Sequence, residues 1–188
     1  MAKWIEEGSE VHVCVFSTAE DSLPKGSQPT RLAEECHASL DVLGVRDDRR
    51  IVFRYPVRKL SYHRQDVLEN MVQLGQEIAP EWVVIPSGSD LHQDHATIHD
   101  EALRAFKHKT VLGYELPWNH ITFCASAFVT LERRHLDRKW EALTRYTSQL
   151  ELGRPYFTKE FHESLARVRG LQVKNDWAEA FELIRVVF

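Results

Sequence analysis

The chain has 188 residues, 43% of them hydrophobic and 28% charged, with a formal net charge of -4. That length suits one domain, expected over residues 1–188, and the composition excludes a disordered or fibrous chain. The mild acidity gives no electrostatic pull toward nucleic acid, and no apolar run reaches the length of a membrane span.

In chain order, residues 2–8 read as the tail of a helix leading into a strand. They lack the apolar core of a secretion signal. The three cysteines, Cys14, Cys36 and Cys124, form no close pair. They read as small buried hydrophobes in a reducing compartment, which places the protein in the cytoplasm. Residues 11–18 (VHVCVFST) predict a buried strand, followed by a polar loop over 19–30. Residues 31–44 predict a helix, with Ala33, Cys36, Leu40 and Leu43 at helical spacing and Gly44 as its stop. A short strand over 51–55 and a helix over 65–79, ended by Pro80, come next.

The run Trp82 to Pro86 predicts another strand, and a helix follows to about Phe106. Strand 110–114 leads into the loop Glu115-Leu116-Pro117-Trp118-Asn119-His120, and residues 127–131 form one more strand. Leu136, Trp140, Leu143, Thr147 and Leu150 step around one long helix. Gly153-Arg154-Pro155 breaks it. Phe161, Leu165 and Val168 mark a further helix, stopped by Gly170, and residues 178–188 close the chain as helix or strand. Strands alternating with helices over the first two-thirds argue for an α/β fold with a parallel sheet, before a last third that turns helical. No glycine-rich phosphate loop supports nucleotide binding.

The densest chemistry lies in Asp90-Leu91-His92-Gln93-Asp94-His95, where strand 82–86 gives way to a helix. Ligands of open α/β sheets bind at such strand ends. His92 and His95 are three apart, so both can turn toward one locus. Asp90 and Asp94 are close enough to hold an imidazole in the tautomer a metal needs. The other reading of the same string is a polar helix start, with Asp90 as cap and Asp94 in the first turn. His99 reads better as a satisfied histidine than as a second ligand. Trp118 could stack on a sugar ring or anchor its loop, with the anchor the favoured role. The stretch from Arg145 to Gln149 reads as packing.

With these strings in view, the chain resembles the PIG-L (LmbE-like) zinc-dependent de-N-acetylases. Gly8-Ser9-Glu10-Val11-His12-Val13 is similar to the family's entry to its second strand. Arg31-Leu32-Ala33-Glu34, with the later Leu43-Gly44, is similar to its "RxxE…LG" helix. Asp90 to His95 is similar to "DxHPDH", with Gln93 in place of proline. Tyr114 to Trp118, Tyr146 to Gln149 and Ala178 to Phe181 are similar to segments of one bacterial subgroup.

The resemblance implies a Rossmann-like, mostly parallel sheet flanked by helices. It implies zinc-dependent hydrolysis of an N-acetyl group on a GlcNAc-type amino sugar, free or in a glycoconjugate. It assigns zinc binding to His95, general acid and oxyanion stabilisation to His92, and orientation of that histidine to Asp94. Arg31, Asp90 and Trp118 are the expected substrate contacts. The family's first motif, His-Pro-Asp-Asp-Glu, is not in the chain, so the first strand of the family is expected to be missing and the zinc site incomplete. Little or no deacetylase activity is therefore expected of this polypeptide alone. The alternative is a non-catalytic sugar-binding or interaction protein on the same fold. An in-frame reading of the DNA upstream of Met1 separates the two. Unpaired edges on strands 11–18 and 82–86 are expected to favour self-association into a homo-oligomer.

Overall fold

The computed structural model describes residues 1–24 and 26–188. It is a mixed α/β fold with helices flanking the sheets, in two compact units: 1–57 with 130–179, and 58–129 with 180–188. Among the described residues no helix is long and apolar enough to cross a membrane.

In the first unit, α1 (Ala2–Glu6) precedes β1 (Val13–Val15), and α2 (Arg31–Leu43) is the crossover to β2 (Arg50–Val52). The two strands pair in parallel, Val13 opposite Arg50. Pairing continues beyond them, since Phe53 N and Tyr55 N donate to the carbonyls of Val15 and Phe16. Gly44 ends α2 in the left-handed region at φ 83°, as a helix stop should. Leu40, Leu43, Val45 and Ala142 form a core, with Ile5 and Val13 packed on it. Val13 and Val15 share one face of β1, so Cys14 points the other way. It is exposed, Cys124 is exposed, and Cys36 is only partly buried. The expectation of three buried thiols therefore fails.

The long helix expected through residues 136–150 is two helices, α5 (Arg133–Thr144) and α6 (Thr147–Glu151). The cause lies far off in sequence. Buried Glu35 of α2 accepts from Ser148 N (2.8 Å), Ser148 Oγ (2.5 Å) and Thr147 Oγ1 (2.8 Å). That carboxylate caps a fresh helix start. The Tyr146 to Gln149 segment thus serves packing, as expected. The helix α7 (Lys159–Gln172) does not stop at Gly170. A Cβ there would lie 2.7 Å from the carbonyl oxygens of Asn175 and Asp176, so glycine is present for a close backbone approach.

In the second unit, a 3-10 turn (Leu60–His63) opens into α3 (Arg64–Ile78), followed by β3 (Trp82–Pro86), α4 (Gln93–Ala105) and β4 (Thr110–Tyr114). β3 and β4 are parallel, Trp82 opposite Thr110. The closing segment is a strand, β6 (Trp177–Arg185), antiparallel to β4 with Tyr114 opposite Phe181. With β5 (Ala127–Leu131) the order is β3-β4-β6-β5, so the sheet is mixed and the last third is not purely helical. β3 is an edge strand of that sheet, and β1 has only β2 beside it among the described residues.

Candidate active site

Ile85 and Pro86 bury the end of β3, and the chain then turns through Ser87–Leu91 into α4. The helix cap is His92, not Asp90: its Nδ1 accepts from Asp94 N at 3.2 Å. Asp90, 5% exposed, has another task. Its Oδ1 accepts from His92 N at 2.8 Å, and its Oδ2 lies 2.8 Å from His95 Nδ1. One carboxylate thus fixes both the main chain at His92 and the ring of His95. The two imidazoles meet as their spacing requires, with centroids 4.5 Å apart.

A carboxylate only accepts, so the proton of neutral His95 sits on Nδ1 and its lone pair on Nε2. An imidazole held in this way by a carboxylate is the usual metal-ligand pattern. His92 is the mirror case. Its Nδ1 accepts from a backbone amide, so Nε2 carries the proton. Burial, and then the neighbouring His95, hold its pKa below the ordinary histidine value, against the pull of Asp94 and Asp90. His92 therefore offers a neutral N–H donor at neutral pH.

Asp94 is buried, and its carboxylate meets two backbone amides. It accepts from Leu60 N at 3.1 Å and from Arg58 N. Arg58 has φ 64°, so this carboxylate holds a left-handed turn in front of α3. His99 Nδ1 donates to the Pro86 carbonyl (2.9 Å), and the ring packs against Gly88, a satisfied histidine as expected. Trp118 lies in the Pro117–Asn119 turn and is 40% exposed, which does not fit a buried anchor. Arg31 belongs to the first unit, where its guanidinium meets Glu35 at 3.1 Å and Glu151 at 2.6 Å. Sequence reasoning passed over Asn119, whose Nδ2 is 3.4 Å from both Asp90 Oδ2 and His95 Nδ1. It also left His120 without a role, although that ring bonds Leu116 N and Ser89 Oγ.

Catalytic zinc takes about three protein ligands. Among the described residues no group of three His, Cys, Asp or Glu side chains is arranged to hold a metal ion. The residues present fit one ligand, His95, and not a whole zinc centre.

A family model described as GlcNAc-PI de-N-acetylase (PIG-L) matches residues 1–106, more than half of the chain. The chain belongs to the PIG-L family. The activity of that family is N-deacetylation, the hydrolysis of a linear amide. The PIG-L fold is also plain in solved structures. The conserved protein TT1542 from Thermus thermophilus aligns at TM-score 0.82 and 20% identity, over 100% of this chain and 87% of that one. GalB, a 4-carboxy-2-hydroxymuconate hydratase from Pseudomonas putida, aligns at 0.78 and 21%, over 100% and 90%. A zinc-inhibited form of the teicoplanin deacetylase Orf2 aligns at 0.76 and 19%, over 96% and 89%. No curated protein matches the chain. The Rossmann-like α/β fold expected from the resemblance is therefore the fold found.

Proposed function

We propose that this PIG-L chain is built to remove an N-acetyl group from a GlcNAc-type amino sugar, with zinc as the metal and the cytoplasm as the compartment. The observation that carries the reading is the Asp90–His95 pair, 2.8 Å apart, with the His95 Nε2 lone pair left for a cation. The family description names the N-acetylated sugar, and the Orf2 relative is both a deacetylase and described in a zinc-inhibited form.

In this reading His95 is the zinc ligand. His92 donates a hydrogen bond from Nε2–H to the acetamide oxygen as negative charge develops there; water adds to the carbonyl carbon, the C–N bond breaks, and the proton that water gives up goes to the departing amine, so acetate and a free amine leave. Asp90 orients His95, and Asp94 ties the α4 start to the Arg58–Leu60 turn while its amide donates to His92 Nδ1. Asp90 and Trp118 remain the proposed substrate contacts, and the open edges of β1 and β3 the proposed sites of self-association.

A lone imidazole does not retain a catalytic zinc ion, so little or no turnover is expected of this chain by itself. The lack of a three-ligand group among the described residues favours a second reading, a sugar-binding protein without turnover. Acetate release from an N-acetylglucosamine derivative with added zinc, measured beside binding of the same sugar, separates them. Zinc-dependent turnover abolished by His95→Ala supports the enzyme. Binding that survives His95→Ala, with no acetate under any zinc concentration, supports the second reading.

A further inference from the structure

Five polar groups beside the Asp90–His95 pair align in one direction. Leu116 N donates to His120 Nε2 at 2.9 Å, which leaves the ring proton on Nδ1. That nitrogen is 3.2 Å from Ser89 Oγ. Ser89 Oγ is 3.0 Å from Ser87 Oγ, and Ser87 Oγ donates to Glu182 Oε2 at 2.7 Å. The row ends on a carboxylate, which accepts only, so each hydroxyl proton points toward Glu182. Ser87 is 1% exposed, which keeps water from competing at that end. Gly113 of β4 makes room for the row. A Cβ at that position would lie 3.0 Å from Ser87 Cα and 3.2 Å from Glu182 Oε2.

The other end of the row reaches the pair. His120 forms an isolated antiparallel bridge with Asp90, and Leu91 N donates to Asn119 O at 3.0 Å. Asn119 Nδ2 then stands 3.4 Å from Asp90 Oδ2 and from His95 Nδ1. With His95 Nδ1 protonated, that amide and the His95 ring both donate to Asp90 Oδ2, so Asn119 helps to hold the carboxylate that keeps the His95 proton on Nδ1.

We propose that His120 is a positioning residue: anchored through Ser89 and Ser87 on Glu182, it seats Asn119 against Asp90 and so keeps the His95 proton on Nδ1. Its consequence for catalysis rests on the reading of His95 as a metal ligand, while the positioning itself does not.

The test is nitrogen NMR of the imidazoles in the metal-free 188-residue chain. His95 is expected in its Nδ1–H form, with that proton protected from exchange with water. Asn119→Ala and His120→Ala are each expected to mix the tautomers and speed the exchange. The double variant should go no further than the stronger single one, because one route carries both effects. Ser89→Ala should give the same shift in weaker form, and Ser89→Thr, which keeps the hydroxyl, should restore it. A His95 ring unmoved in both Ser89→Ala and His120→Ala would overturn the proposal, as would effects that simply add. If His120→Ala does not fold, the two Ser89 variants decide. Zinc added to the wild-type chain reports on the other reading separately: a His95 Nε2 signal indifferent to zinc removes the metal ligand and leaves the positioning claim standing.

Discussion

Asp94 shows how a residue in a catalytic-looking string can hold the fold. Its carboxylate accepts from two backbone amides, those of Arg58 and Leu60, at a place where Arg58 is left-handed. Removing it strands two donors and releases a strained turn. Asp94→Ala is expected to lower stability by about 2–4 kcal/mol, read as a lower urea midpoint with unchanged slope. A change near zero would mean that water replaces the carboxylate. The pairing of His92 with His95 was legible in the sequence because a spacing of three on a helix is a local rule. The partner of each ring was less so. The sequence allows Asp90 as an orienting carboxylate or a cap; in the fold it orients His95, while His92 caps. Asn119, Ser87 and Glu182 carry no local signal: the β4–β6 pairing brings Glu182 to Ser87, and the bridge between Asp90 and His120 brings Asn119 to Asp90.

Among the elements, β3, β4 and β5 fall where apolar runs bounded by turn residues place them. Boundaries differ where a distant partner intervenes. Glu35 divides one amphipathic pattern into α5 and α6, and the turn at Asn175 requires the glycine that resembles a helix stop. The pattern of β6 does not tell strand from helix, because its apolar and polar residues do not alternate cleanly where it lies between β4 and β5. The end of α3 carries a prediction of its own. Ala79 takes the left-handed C-terminal position at φ 48°, and its amide donates to Gly75 O at 3.1 Å. A glycine meets that geometry without a Cβ clash. Ala79→Gly is expected to stabilise the chain by about 0.5–1 kcal/mol despite the added freedom of the unfolded state. Urea unfolding of the variant checks this, and a loss of stability would show that the turn is not strained.

At the scale of the molecule, stability should depend on pH through His162. Its Nε2 is buried with no hydrogen-bond partner among the described residues. Burial, and then the charge of Lys139, bring its pKa down to about 4, with Glu179 pulling the other way. The unfolded chain protonates this histidine near the ordinary value of about 6.5, whereas the folded chain does not until about pH 4. The unfolded state thus binds more protons between those values, and stability is complete above them and lost as pH falls through that window. His92 titrates in the same direction. Urea midpoints well above and well inside that window should differ for the wild type, and His162→Leu should narrow the gap. An equal gap in the variant would assign the acid sensitivity elsewhere.

The central proposal is that the His95 imidazole, held by Asp90, is the one metal-ligating group among the described residues. Zinc titration of the purified 188-residue protein, followed by calorimetry together with imidazole nitrogen NMR, tests it most directly. The expected result is weak binding, with His95 Nε2 the first nitrogen to shift and His95→Ala abolishing the response. Tight one-to-one binding, or zinc binding that leaves His95 untouched, would contradict it.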